Sequence, residues 1–547
     1  MNVAEVVGRT LAALGADHVF GVVGSGNFHV TNALVAAGAR FVAARHEGGA
    51  ATMADAYART SGRIGVLSVH QGCGLTNALT GITEAAKSRT PLLVLAAETA
   101  SAAIRSNFRI DQDALATAVG ARAERVHSVA TAVGDVVRAF RLATEGRQTV
   151  VLNLPLDVQA AELDGEPPVP QLPALSPVAP SAAAVRQLVD RLVAAQRPVF
   201  IAGRGSRRAG AELRALAETC GALLATSAVA RGLFRDDPWS LDVSGGFATP
   251  LAVELISGAD LIVGWGTAMN MWTMRHGNLI GPGCTLVQVD LESEAIGAHR
   301  PVDLGVLGDV AATAEATQAE LADRGIQRVG YRVPLVRERI AREGSWRDVE
   351  FVDQSTPDAI DPRTLTIALN GLLPEERVVA VDSGNFMGYP SMFLRVPDEH
   401  GFCFTQAFQS IGLGLATAIG AALARPDRLP VAALGDGGAL MGIAELETAV
   451  RLGLPMVIVV YNDHAYGAEV HHFGPDGHTL DTVKFPDTDL AAAARGFGCT
   501  GVTVRTAGDL APVRNWLAGP RTTPLLIDAK IASSEGAWWL VEAFRGH

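Results

Sequence analysis

Two aspartates in the C-terminal third of the chain have the spacing of a divalent cation site. An apolar run at 431–434 meets the turn GDGG, which contains Asp436. A helix-period segment extends to about residue 452, and a second apolar run at 456–461 leads to Asp463. This pattern predicts strand, helix and strand. Because the carboxyl ends of parallel strands share one sheet edge, we expect both carboxylates to converge on a hard cation such as Mg²⁺.

The glycines of the same turn add an anion site. The amides of Gly437 and Gly438 open the predicted helix, and a helix N-terminus binds anions. A cation beside an anion site predicts a Mg²⁺–diphosphate ligand. The GDG turn alone is also compatible with an ordinary strand–helix connection that carries an incidental aspartate.

The whole segment, ending in NDHAYG, resembles the thiamine diphosphate (ThDP) motif of 2-oxo acid decarboxylases and acetolactate synthases. That family commonly has a second asparagine where this chain has Asp463. The resemblance implies that Mg²⁺ is held by the side chains of Asp436 and Asp463 and by the Ala465 carbonyl. Ile411 matches the bulky residue that keeps the cofactor bent, although core packing would also explain it. The other cofactor contacts that the resemblance implies are Ser383, Gly384, Asn385, Phe386, Gln409, Gly437, Gly438, Tyr466, Gly467 and Ala468.

A second matching segment lies near the N-terminus. The run RFVAARHE ends in Glu47 and continues as GGAATMADAYAR, which resembles the family segment that carries the cofactor-activating glutamate. The resemblance implies that Glu47 binds and activates ThDP. In the family this glutamate comes from one subunit and the GDG turn from its partner, which implies a homodimer or a dimer of dimers. The alternative is a surface glutamate at a helix start.

Five polar positions match residues that different branches of the family use in catalysis. His70 and Ser25 match positions in benzoylformate-decarboxylase-like members, and Glu469 matches a glutamate of pyruvate- and indolepyruvate-decarboxylase-like members. Gln112 matches a glutamine of acetolactate synthases, whereas His472 replaces their tryptophan. Each of three positions also has a purely structural explanation: a core histidine for His70, a turn cap for Ser25 and an outward-facing side chain for Glu469.

Three further sites near these segments have aromatic or histidine side chains that could reach the cofactor. His471 is expected to point away from Glu469 and His472 on alternation. His276 either reaches the site from the central domain or lies outside it. The pair Trp538–Trp539 either forms a lid or belongs to a docked terminal helix.

The resemblance implies a ThDP- and Mg²⁺-dependent, acetolactate-synthase-like enzyme. Its substrate would be a 2-oxo acid, decarboxylated with or without transfer to an aldehyde or ketone acceptor. An FAD-containing synthase or oxidase is the first alternative, but the loop GWGTAMN at 264–270 lacks the Arg-Phe-Asp pattern, so FAD is not expected. The second is a catalytically inactive regulatory homologue, which the presence of Glu47 disfavours.

Composition sets the broad class. A chain of 547 residues indicates about three domains. The net charge of −12, without a basic stripe, disfavours nucleic acid as a partner. Five scattered cysteines without a CxxC pair disfavour disulfides and zinc. The N-terminus is typical of an amphipathic helix rather than a signal peptide, and no apolar segment approaches membrane-spanning length, so we expect a cytoplasmic protein without membrane contact.

Apolar runs that alternate with helical segments predict an α/β fold of three doubly wound parallel-sheet domains. We expect a pyrimidine-binding domain at 1–165, a central domain at 182–320 and a diphosphate-binding domain at 358–547. A Pro-rich stretch at 162–181 and a charged, irregular stretch at 321–361 would link them. The first and third blocks share one pattern and look like a distant repeat. Strands are predicted at HVFGVVG, RFVAARHE, IGVLSVHQGCG, PLLVLAAE, TVVLNLP, PVFIAGRG, ALLATSAVARG, LIVGWG, TLVQVDLE, RVVAVDSG, PVAALGDG, PMVIVVYND and PLLIDAKI.

Overall fold

The structure is a computed structural model that describes residues 1–165 and 167–543 of the chain. It contains three six-stranded sheets whose neighbouring strands are all parallel. Helices cover the sheets, so the predicted α/β class with three doubly wound domains is confirmed. The strand ends that carry polar residues therefore share one edge in each sheet.

The strands are numbered in chain order. The first sheet contains β1 (His18–Gly21), β2 (Arg40–Ala43), β3 (Gly65–Val69), β4 (Leu92–Glu98), β5 (Arg122–Arg125) and β6 (Thr149–Pro155). The second contains β7 (Pro198–Ala202), β8 (Leu223–Thr226), β9 (Ser240–Val243), β10 (Leu261–Trp265), β11 (Thr285–Asp290) and β12 (Leu304–Leu307). The third contains β13 (Arg377–Val381), β14 (Phe402–Phe404), β15 (Leu429–Gly435), β16 (Val457–Asn462), β17 (Thr500–Val504) and β18 (Leu525–Lys530).

The α-helices fall into the same three groups. Those of the N-terminal domain are Val3–Ala13, Phe28–Ala36, Glu47–Ser61, Cys73–Lys87, Gln112–Ala118, Ala132–Thr144 and Leu156–Ala160. The central domain and the stretch after it contain Ala182–Ala194, Gly210–Cys220, Pro250–Ser257, Met271–Met274, Val310–Asp323 and Pro334–Glu343. The C-terminal domain contains Pro362–Leu372, Gly388–Phe393, Gly414–Ala424, Asp436–Met441, Glu445–Arg451, Gly467–Phe473, Leu490–Gly496, Ala511–Ala518 and Trp538–Ala543.

The first and third sheets have the same strand order, which supports the predicted repeat. The first runs β2-β1-β3-β4-β6-β5 and the third runs β14-β13-β15-β16-β18-β17. Each strand of the third sheet thus occupies the place of its counterpart in the first. The polar residues after β3 and those after β15 consequently occupy corresponding positions in two related domains.

Two expectations about the connections are wrong. The segment after the GDGG turn forms two helices, Asp436–Met441 and Glu445–Arg451, instead of one. The break at 442–444 directs the Glu445 carboxylate towards the backbone amides of Arg45 and His46, each 3.1 Å away. The stretch at 321–361 contains the helix Pro334–Glu343, which starts with proline at its first position, a place where proline is well tolerated.

The N-terminal and C-terminal domains share a hydrophobic core within the chain. The helix Glu47–Ser61 packs on Gly414–Ala424 so closely that a side chain at Gly420 would collide with the backbone of Met53. The buried Arg59 guanidinium lies between two carboxylates and donates 2.8 Å to Glu84. Glu84 also accepts the amides of Ala407 and Phe408, so it ties the two domains together at the loop after β14. This packing fixes the helix on which Glu47 stands.

Among the helices of residues 1–165 and 167–543, none has both the length and the apolar character needed to cross a membrane.

Candidate functional site

A cavity of about 390 Å³ lies where the central and C-terminal domains meet. The C-terminal ends of β13, β15 and β16 face it, together with the helix after β10. The predicted residues in its wall are Ser383, Gly384, Asn385, Phe386, Gln409, Ile411, Asp436, Gly437, Gly438, Asp463, Ala465, Tyr466, Gly467, Ala468 and Glu469. The structure therefore brings every residue of the expected C-terminal cofactor set to one place.

The two aspartates reach the cavity from neighbouring strands. Asp436 follows β15 and Asp463 follows β16, and these strands pair in parallel. Burial raises the pKa of Asp436 to about 6. Burial and then repulsion by Asp436 raise the pKa of Asp463 to about 7. Two buried carboxylates that repel each other form a donor set that a divalent cation would stabilise.

The side chains alone do not complete a metal site. In the described ranges, which omit residue 166 and the last four residues, no group of three or more His, Cys, Asp or Glu side chains could hold a metal. A cation at the Asp436–Asp463 pair would need backbone carbonyls and ligand oxygens as well, as Mg²⁺ sites for phosphates commonly do. The wall position of Ala465 fits the expected carbonyl ligand.

Three glycines make room for a ligand beside the carboxylates. A Cβ at Gly437 would lie 2.5 Å from the ring carbon Cε1 of Tyr466. A Cβ at Gly438 would collide with Asp382, and one at Gly467 would collide with Asp463. Backbone amides can therefore approach a ligand here without side chains in between, an arrangement that suits a diphosphate.

The loop that carries Ala465 is held on both sides. His464 adopts a left-handed conformation with φ +57°. Its carbonyl accepts the amide of Phe485 at 2.8 Å, and the amide of Tyr466 donates to the carbonyl of Val483 at 2.9 Å. The loop is thus built into a short antiparallel bridge, which presents the Ala465 carbonyl from a fixed backbone.

The residues after this loop form the helix Gly467–Phe473, so alternation does not describe their directions. Glu469 lies in the cavity wall, whereas His472 contacts the ring of Phe473 and is not part of that wall. The ring of His471 is turned towards Ser533, with Nε2 3.0 Å from the hydroxyl oxygen. Of the three polar side chains, only Glu469 faces the cavity of its own chain.

Trp539 belongs to a docked segment. It is 1% exposed, and its indole N–H donates to the Asn385 carbonyl at 3.0 Å. The Asn385 side chain accepts the amide of Ala537 at 3.4 Å. Leu540 lies in the cavity wall, so this terminal segment closes one side of the cavity.

The predicted N-terminal residues meet at the corresponding edge of the first sheet. Glu47 begins its helix and accepts a hydrogen bond from Asn77 at 3.0 Å. His70 Nδ1 lies 2.9 Å from the Gln71 carbonyl and therefore carries the hydrogen. Its Nε2 can then accept from the Ser25 hydroxyl at 3.4 Å. Glu47, Ser25 and His70 are not in the cavity wall of their own chain.

Gln112 lies beneath this edge. The side chain is 2% exposed, and its oxygen accepts the Gly72 amide at 2.9 Å. Its nitrogen donates to the Ala97 carbonyl and to the Asn153 side chain. The amide thus supports the loop that follows His70.

Two wall residues with unpaired donor groups are not marked as site residues by the sequence. Gln406 is 8% exposed, and its side-chain nitrogen has no hydrogen-bond partner in the described structure. The indole nitrogen of Trp272, on the helix after β10, is likewise buried and unpaired. Buried donors without a partner are destabilising, so both are candidates for binding an acceptor group of a ligand. No motif marks either residue, because Trp272 comes from another domain and Gln406 from an irregular loop.

His276 and the glycine turn after β7 both lie outside the cavity wall. The amide of Gly205 donates to the Gly266 carbonyl at 3.1 Å, and a side chain at Gly203 would collide with that carbonyl. The Gly203–Gly205 turn is thus packed against the loop after β10. His276 lies in the turn Arg275–Gly277, outside the cavity wall.

Comparisons with known proteins agree with this geometry. Models of the thiamine pyrophosphate enzyme family match the N-terminal TPP binding domain at 1–117, the central domain at 185–317 and the C-terminal TPP binding domain at 382–529. The probable 2-ketoarginine decarboxylase AruI of Pseudomonas aeruginosa is 29% identical over 93% of this chain and 90% of its own. The acetolactate synthase large subunit of Parasynechococcus marenigrum is 28% identical (96% and 87%), and the sulfoacetaldehyde acetyltransferase of Castellaniella defragrans is 27% identical (94% and 90%).

Proposed function

Because the chain belongs to the thiamine pyrophosphate enzyme family, we propose that it is a ThDP- and Mg²⁺-dependent enzyme that decarboxylates a 2-oxo acid. The product would either leave as an aldehyde or be transferred to a second carbonyl compound. The observation that carries the proposal is the cavity in which Asp436 and Asp463 lie beside a glycine-lined space. This donor set fits a cation and a diphosphate together.

The cofactor would be held by residues of the cavity wall. Asp436, Asp463 and the Ala465 carbonyl would bind Mg²⁺, and the backbone at Gly437 and Gly438 would face the diphosphate. ThDP, when bound, supplies the carbon nucleophile and the electron sink that decarboxylation needs. The chain supplies orientation and proton transfer.

Glu47 would reach the cofactor across a subunit boundary. It lies outside the cavity wall of its own chain, at an edge that another copy can cover. Exposed apolar side chains at the corresponding edges of the N-terminal and C-terminal domains support such self-association, since a lone chain would leave them in water. They are Val23, Phe28, Phe108, Ile110, Phe408, Leu440 and Met441. We therefore propose a homodimer, or a dimer of dimers, with composite sites.

Protons would be handled by two groups that the dimer brings together. Glu469 lies in the wall of the cavity, and His70 would enter it from the partner together with Ser25. With a hydrogen on Nδ1, His70 can use Nε2 to accept a proton, and the Ser25 hydroxyl lies within hydrogen-bond distance of that nitrogen. Glu47, Glu469 and His70 would then act on different protons of the same reaction.

The unpaired donors suggest where the substrate carboxylate binds. Trp272 and Gln406 are neutral donors, and neutral hydrogen bonds hold a carboxylate less strongly than an arginine does. Weak binding of the carboxylate favours its loss, because the charge disappears as carbon dioxide forms. We propose that these two residues orient the carboxylate of the 2-oxo acid.

The proposal is tested by supplying a panel of 2-oxo acids with ThDP and Mg²⁺ and measuring carbon dioxide release. The panel includes pyruvate and 2-ketoarginine, and each acid is tested with and without an aldehyde acceptor. Acceptor-dependent product would assign transfer, and free aldehyde would assign simple decarboxylation.

A Glu47→Gln variant checks the role of the activating carboxylate. We expect it to bind ThDP as the wild type does and to lose most of its turnover. Glu338→Gln, at an exposed glutamate far along the chain, is the matched control and should keep full activity. Unchanged turnover in Glu47→Gln would rule out the proposed mechanism.

A further inference from the structure

Three side chains form a hydrogen-bonded series that ends at the cavity. The His471 nitrogen Nε2 lies 3.0 Å from the Ser533 hydroxyl oxygen. The Ser533 hydroxyl donates to Oδ2 of Asp463 at 3.2 Å. The three residues come from separate places in the fold: the loop after β16, the helix Gly467–Phe473 and the segment after β18.

The order of the protons follows from the chemistry of the groups. A carboxylate that binds a cation is ionised and only accepts, so with a cation bound the single Ser533 proton must point to Asp463. The Ser533 oxygen must then accept from His471, which requires a hydrogen on Nε2. The two hydrogen bonds therefore run in one direction, from His471 through Ser533 to Asp463.

The surrounding backbone leaves little room for another arrangement. A Cβ at Gly467 would collide with Asp463 Oδ2, so that oxygen is enclosed between this glycine and Ser533. A Cβ at Gly536 would lie 3.0 Å from the His471 Cβ, so the terminal segment also packs directly on the histidine. These contacts restrict the rotation of the Asp463 carboxylate in the cavity wall.

Ser533 is also anchored through its neighbours. The amide of Ile531 donates to the Asn462 carbonyl at 3.0 Å, next to Asp463 in the chain. The amide of Ala532 donates to the Ile360 carbonyl at 2.9 Å. The hydroxyl thus directly follows backbone that is bonded to two other segments of the chain.

We propose that Ser533 and His471 are positioning residues that orient Asp463 towards the divalent cation. This inference rests on the proposed function, in which Asp463 is a cation ligand. Outer hydrogen-bond partners of metal ligands typically change metal affinity by about 10- to 100-fold when removed. We expect these hydrogen bonds to matter more for Asp463 than for the asparagine that the family commonly has at this position. A carboxylate has two equivalent oxygens, so one of them must be fixed before the other can be directed at a cation.

The test measures cofactor retention rather than turnover. ThDP binding to the full-length protein is followed by equilibrium dialysis at graded Mg²⁺ concentrations. For Ser533→Ala we expect the Mg²⁺ concentration at half-saturation to rise by about tenfold. Ser533→Thr keeps the hydroxyl and should bind as the wild type does. Ser534→Ala is the matched control, because the neighbouring serine donates to Gln354 instead.

His471 is tested in the same assay by two substitutions. His471→Gln keeps an N–H donor and should retain most of the Mg²⁺ affinity, whereas His471→Leu should lose it to a similar extent as Ser533→Ala. A general packing role would make both substitutions equally harmful and would overturn the inference for His471. Equal melting temperatures without Mg²⁺ and ThDP confirm that the variants are folded.

The outcomes separate this inference from the proposed function. If ThDP binding to the wild type does not depend on a divalent cation, the proposed metal site itself is wrong. If the wild type and Asp463→Ala differ as expected but Ser533→Ala equals the wild type, only the positioning role is rejected. In the double variant Asp463→Ala/Ser533→Ala, we expect no loss beyond that of Asp463→Ala; an additive loss would contradict a role through Asp463.

Discussion

Replacing Gln112 distinguishes a supporting residue from one that touches the substrate. The resemblance to acetolactate synthases suggests a catalytic glutamine, whereas the side chain is 2% exposed and makes three hydrogen bonds within its own domain. One of them holds the amide of Gly72, which has φ +64° and packs against Phe108. Gln112 therefore supports the backbone next to His70.

The magnitude follows from those bonds. Gln112→Leu keeps a similar volume but leaves the Gly72 amide, the Ala97 carbonyl and one Asn153 acceptor without this partner. Each intramolecular hydrogen bond contributes about 0.5–1.5 kcal/mol to the free energy of unfolding, so the loss of three bonds should lower that free energy by about 3 kcal/mol. A displacement of the His70 loop should lower turnover as well, because general acid–base catalysis depends on geometry.

The assay records both properties in one preparation. The thermal unfolding midpoint of the holoenzyme and the steady-state kcat and KM are measured for the wild type and Gln112→Leu. We expect a clear fall in the midpoint together with a lower kcat. An unchanged midpoint with a raised KM would show that Gln112 contacts the substrate directly and would refute the structural reasoning.

Three further substitutions probe the cavity wall. Trp272→Phe removes the indole N–H together with part of the ring system and should raise the substrate KM by up to about tenfold, with unchanged ThDP affinity in a binding titration. Glu469→Gln should lower kcat by about 100-fold or more without weakening ThDP binding, since it removes a proton-transfer group; an unchanged kcat would exclude that role. Gly437→Ala forces the Tyr466 ring to move and should weaken ThDP binding, whereas Gly371→Ala, where a Cβ meets nothing within 4 Å, should have no effect.

The strands that the sequence did not predict share a position in their sheets. β5, β9, β12, β14 and β17 are all edge strands, whereas every interior strand was predicted. Interior strands are buried on both faces and read as continuous apolar runs. An edge strand has one neighbour, and β5 and β12 are largely accessible, while β14 has only three residues. Their sequences therefore carry a weak signal.

The sequence predicts those site residues that follow recognisable parallel strands, because the motif then gives both the residue type and its place at the sheet edge. Asp436 and Asp463 follow adjacent parallel strands, so topology alone brings them together. Ser25 and His70 likewise follow neighbouring strands, β1 and β3. Trp272 could not be found in this way, because its position depends on how the central domain packs on the C-terminal one.

The sequence also does not predict which side chains the terminal segment contacts. We expected His471 to point away from Glu469 because side chains alternate along an extended chain. The segment is instead a helix, Gly467–Phe473, which the apolar periodicity of the sequence does not predict. Its contact with Ser533 joins residues 62 positions apart. Such a contact depends on the path of the chain after β18.

A subunit-mixing experiment tests the central claim most directly. Glu47→Gln and Asp436→Ala are prepared separately, shown to be inactive, and then unfolded and refolded together or co-expressed. In a composite site, a mixed dimer has one site with both residues intact and one with both replaced. Random pairing should therefore restore about a quarter of the wild-type activity. A mixture that stays inactive although mixed dimers form would contradict a site shared between two chains.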